Sequence, residues 1–78
     1  MVDAAMCTVT VDGRDYDVTR IGDDLRVSPR EADELAETVS LAHLPADVRQ
    51  AVENNDVDDA ALQRTATAMA RAIAERGA

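Results

Sequence analysis

The sequence predicts an α+β domain: a three-stranded antiparallel meander followed by three helices packed on one face of the sheet. Three observations carry that expectation. Apolar and polar residues alternate with period two from Cys7 onward, Asp12-Gly13 and Gly22-Asp23 supply two-residue turns, and from Ser28 apolar residues recur at helical spacing. A three-stranded sheet needs its apolar face covered, and the helices that follow can cover it.

The first strand is expected over 6–11, where Cys7, Val9 and Val11 share one face and Thr8, Thr10 and Asp12 the other. Asp12-Gly13 suits a two-residue hairpin turn. It sets Val11 against Arg14, Val9 against Tyr16 and Cys7 against Val18, so the apolar sets of both strands coincide. A second such turn at Gly22-Asp23 joins strand 14–21 to strand 24–28, placing Val27 opposite Val18 and Leu25 opposite Arg20, with Arg20 the weak point. The inner face then carries Cys7, Val9, Val11, Tyr16, Val18, Leu25 and Val27. The outer face carries Thr8, Thr10, Asp15, Asp17, Thr19, Ile21, Asp24 and Arg26.

Ser28-Pro29-Arg30-Glu31 reads as a helix start, with a capping Ser, Pro at the first helical position and Glu three residues after the cap. The first helix is expected over 29–43, burying Ala32, Leu35, Ala36, Val39 and Ala42, and ending ahead of Pro45. A second, over 45–54, buries Leu44, Val48, Ala51 and Val52. Asn54-Asn55 tolerates left-handed backbone, and Asp56 caps a third helix over 57–76 with Gly77 as its C-cap. The stripe of that helix is Leu62, Ala66, Met69 and Ile73, flanked by Thr65, Ala70 and Ala72. Residues 1–78 form a single domain, with order expected to fail only at 1–4 and 78.

Composition bears on habitat. The 78 residues include 16 acidic and 8 basic side chains, for a formal net charge of −8. Every basic residue is Arg, Asp outnumbers Glu, Ala is abundant, and Phe and Trp are absent. This composition resembles that of cytoplasmic proteins from extreme halophiles, and the resemblance covers composition alone. Repulsion among excess carboxylates, destabilising in dilute buffer, is screened within about 3 Å in molar salt. The acidity therefore describes the solvent before it describes a partner. No basic, apolar leader opens the chain and no apolar run is long enough to span a bilayer, so a cytoplasmic location is expected.

Few residues offer chemistry. Cys7 is the single cysteine, read as a small hydrophobe on the inner face, with a reactive thiol as the alternative. His43 is read as a residue at a helix C-terminus, and one Cys with one His is too few for a zinc site. A Cys7–His43 nucleophile pair lacks a third orienting group. Tyr16 is read as a core anchor. In a calcium-loop reading of the Asn54 to Asp59 run, the sixth position would be Asp59 instead of Gly and the twelfth Thr65 instead of Glu. No catalytic residue, cofactor, metal or small-molecule substrate is expected.

Two functional readings follow. The first is a non-catalytic protein-interaction or regulatory module that self-associates, with Ala66, Met69, Ala70 and Ile73 on the last helix as the contact. The second is a transcription-associated nucleic-acid-binding factor using Arg64, Arg71 and Arg76 as a basic ridge.

Overall fold

The structure, a computed structural model, describes residues 5–77. The expectation for 1–4 and 78 lies outside the described residues. The chain is α+β, and its described residues form four strands in place of three and two helices in place of three: β1 (Cys7–Val11), β2 (Arg14–Ile21), β3 (Asp24–Pro29), β4 (Glu37–Ser40), α1 (Ala46–Glu53) and α2 (Ala60–Gly77). Short 3-10 turns at Asp33–Leu35 and Leu41–His43 flank β4. The sheet is antiparallel throughout, in the order β1-β2-β3-β4.

The meander forms in the expected register, with Cys7↔Val18, Val9↔Tyr16, Val18↔Val27 and Arg20↔Leu25. Its turns follow from the residues that occupy them. Asp12 and Gly13 both have positive φ, 52° and 81°, as a type I′ turn requires. At the second turn Gly22 has φ 59° and Asp23 does not share it, the pattern of a type II′ turn. Arg20, which alternation directs to the inner face, lies exposed at the sheet's end and donates from Nε to the Gly22 carbonyl at 3.0 Å.

The helix expected over 29–43 does not form. Ser28 is buried and pairs with Asp17, Pro29 is buried and pairs with Tyr16, and the Arg30 N–H continues the ladder to the Asp15 carbonyl at 3.1 Å. What resembles a capping motif is the end of β3. Pro is tolerated there because β4 reaches only to the Val27↔Glu37 pair, so no strand needs the N–H that Pro29 lacks. Further on, β-branched Thr38 and Val39 suit a strand better than a helix. β4 lays Val39 beside Leu25 and widens the sheet, whereas a helix here would compete with α2 for the same sheet face.

The remaining helices hold with shifted bounds. α1 buries Val48, Ala51 and Val52, with Leu44 half-buried before it. α2 starts three residues later than expected because Asp59 and not Asp56 caps it: the Leu62 N–H donates to Asp59 Oδ2 at 3.0 Å. The Asp56 carbonyl instead accepts from the Asp59 N–H at 3.2 Å, in a turn that Asn55 enters with φ 55°. Gln63 closes that turn by donating from Nε2 to the Val57 carbonyl at 2.6 Å. The core joins Val9, Val11, Tyr16, Val18, Leu25 and Val27 of the sheet to Leu62, Ala66, Ala70 and Ile73 of α2, with α1 at its side. Cys7 and Met69 are only partly buried against it.

Candidate interaction surface

The stripe proposed for contact is spent on folding. Ala66 and Ala70 have no exposed surface and Ile73 is 2% exposed, all facing this chain's own sheet, while Met69 is half-buried beside them. The physical reason is the missing first helix: with 29–43 in strand and turn, α2 becomes the main cover of the sheet and turns its apolar stripe inward.

The arginines of α2 do not form one ridge. At 100° per residue, Arg64 and Arg71 lie within about 20° of each other, and Arg76 diverges from Arg71 by about 140°. All three are exposed, but Arg76 forms an ion pair with Glu37 of β4. Arg71 of α2 lines a shallow depression with Glu75 and with Asp12 of the first hairpin turn.

Cys7 and His43 are kept apart by topology. Cys7 lies on β1 and His43 follows β4, the opposite edge of the sheet, three strand spacings or about 14 Å away. Partial burial pushes the Cys7 thiol above its usual range, and the Asp58 carboxylate adds to the effect. A protonated thiol is a weak nucleophile. Tyr16 is 1% exposed and anchors the core.

The outer face of the sheet is polar and internally bonded. Arg30 donates from Nη2 to Asp17 Oδ1 at 2.9 Å and to Thr8 Oγ1 at 3.1 Å, and its Nη1 reaches Asp15 Oδ2 at 3.4 Å. Thr8 and Thr10 donate in turn to Asp17 and Asp15, at 3.2 and 2.8 Å. The Arg30 hydrogen bond is the main cause that holds the Asp17 carboxyl below the usual carboxylate range. Sequence reasoning assigned Arg30 to a helix, so this cross-strand cluster was not foreseen; the signal for it was the run of Thr and Asp at alternate outer positions.

Two further features complete the surface. A groove of about 350 Å³ lies between the end of β3 and the C-terminal part of α2, floored by Tyr16, Pro29, Leu35 and Ile73 and rimmed by Arg14, Arg30 and Glu31. Leu35, expected in the core, is 39% exposed there. The second feature is β1 itself, a terminal strand with exposed Thr8 and Thr10. Residues 4–11 carry no charged side chain, in a chain with net charge −8. No family model, curated protein or solved structure matches this chain.

Proposed function

We propose that this chain is a small, non-catalytic protein-interaction module that self-associates in the cytoplasm of a salt-rich cell. One observation carries the reading: β1 is an edge strand, unpaired on its outer side among the described residues, and it carries none of the charged or proline residues that often blunt such an edge. Charged side chains, Pro and inward-pointing Lys are all absent from Cys7–Val11, whose residues are Val, Thr and Cys. A strand of this kind recruits another strand through its backbone, and recognition of this sort needs no cofactor or reacting side chain.

Sedimentation of the tag-free protein in 3 M and 0.2 M KCl, with sheared duplex DNA alongside, tests the proposal. The expected result is a species of about twice 8.4 kDa in 3 M KCl that does not travel with the DNA. A lone 8.4 kDa species with no protein recovered by pulldown overturns it. Co-sedimentation with DNA that disappears on replacing Arg64, Arg71 and Arg76 by Gln also overturns it, in favour of nucleic-acid binding.

A further inference from the structure

We infer that the partner is a second copy of this chain, joined β1 to β1 in antiparallel fashion about a two-fold axis through Val9, so that two four-stranded sheets become one of eight strands. The inference rests on the self-association reading and adds the seam, its register and its closure.

The register follows from the hairpin. Residues of an antiparallel pair alternate between hydrogen-bonded and non-hydrogen-bonded positions, and a two-residue turn closes on a bonded pair, here Val11↔Arg14. Val11, Val9 and Cys7 therefore direct their N–H and C=O groups to β2, and Thr8 and Thr10 direct theirs outward. Beyond Cys7 the edge ends, because the Met6 N–H is drawn to the Val18 carbonyl at 2.7 Å. The free groups are thus symmetric about Val9. Pairing Thr8 with Thr10 of the second copy satisfies all of them in two bonded pairs, each exchanging both N–H···O bonds. Thr opposite Thr is a favourable cross-strand pair on the outer face. Val9 meets its own symmetry mate on the inner face.

Closure follows from the other edge. β4 has four residues, is bounded on both sides by 3-10 turns, and carries Glu37, which Arg76 of α2 reaches across to bind. A short edge that carries charge resists pairing. β1 meeting β4 of another copy would propagate an open chain, whereas β1 meeting β1 stops at a dimer.

The charge distribution selects the same contact. Two copies of net charge −8 meet at least cost where neither carries charge, and β1 is such a segment. The Asp58 carboxylate acts on Cys7 at one end of β1, and Arg71, Asp12 and Glu75 line one surface depression near the hairpin tip at the other. An antiparallel seam brings the Asp58 end of one copy to the Arg71 end of the other. Each end then collects both signs with carboxylates in excess, so association strengthens as salt rises.

Two variants decide the matter by sedimentation in 3 M KCl. Thr10→Pro removes an outward N–H and leaves the backbone ladder of β1 and β2 in place, giving up only the exposed Thr10–Asp15 side-chain bond, at a position where edge strands accept Pro. It is expected to weaken the dimer by about ten- to thirty-fold, with the far-ultraviolet circular dichroism unchanged. Val9→Cys in a Cys7→Ser background is expected to yield a disulfide-linked dimer on oxidation with diamide, because facing non-bonded residues lie at about 4.5 Å between Cα atoms, within disulfide reach. Should Thr10→Pro fail to fold, the cross-link decides alone. A wild-type dimer that survives Thr10→Pro and gives no Val9→Cys cross-link overturns the seam and leaves self-association standing. A monomeric wild type overturns both.

Discussion

Arg30 ties two strands together on the solvent face of the sheet, reaching Asp15 and Asp17 of β2 and Thr8 of β1 with one guanidinium. Its side chain is about half exposed, so the pairs are screened and contribute little individually. Their signature is in the pH dependence. Because the folded-state pKa of Asp17 lies below the ordinary 3.8, its contribution is fully present above that value and is lost as pH falls through the folded pKa. Arg30→Gln should therefore lower Tm by no more than a few degrees at pH 7, and the difference from the wild type should shrink towards pH 2. A difference that grows on acidification would contradict the assignment of Arg30 as the partner that depresses Asp17. Thermal melts at a series of pH values give the comparison directly.

Helix α2 supplies most of the cover over the sheet, and its first turn is held by Asp59, whose carboxylate accepts the Leu62 N–H while its carbonyl accepts the Gln63 N–H. Asp59→Ala should cost about 1 kcal/mol, as loss of an N-cap typically does. In a domain of this size that is a fall in Tm of roughly 4–8 °C. The corresponding change at Asp56, which caps nothing through its side chain, should cost clearly less, and equal losses at both positions would refute the placement of the cap. The sequence made the meander legible because two independent signals, turn residues and alternation, agreed on one register. It misplaced the segment after Ser28 because a capping motif and a strand end use the same residues, and only the pairing of Pro29 with Tyr16 separates them. The contact stripe on α2 failed for the same reason. Ala66, Ala70 and Ile73 are spare only if another helix covers the sheet. The edge at β1 was legible in composition, as eight residues without charge, but its openness depends on strand order, which no local pattern encodes.

The whole molecule is a two-layer body, 31 × 28 × 20 Å, with an accessible surface of 4908 Å². Scaling from mass leads to roughly 4,600 Å², so the surface is that of an ordinary small domain and the core is correspondingly thin. Excess carboxylate spread over such a body opposes compaction unless salt screens it. Below about 0.5 M KCl the protein should lose cooperative melting, and its Tm should climb as salt is added. A sharp transition in dilute buffer that is indifferent to salt would remove the halophile reading. At this scale the order of the elements along the chain also matters. Each strand bonds only to its sequence neighbours, whereas the helix that covers them comes last, at Ala60–Gly77. During synthesis at about 5–20 residues per second, the segments of the sheet therefore wait on the order of seconds for the helix that covers them. Tyr16, Val18, Leu25 and Val27 gain their helical cover only after that interval. Asp15, Asp17 and Asp24, already made by then, give that stretch of chain hydrated carboxylates before its apolar residues find their cover.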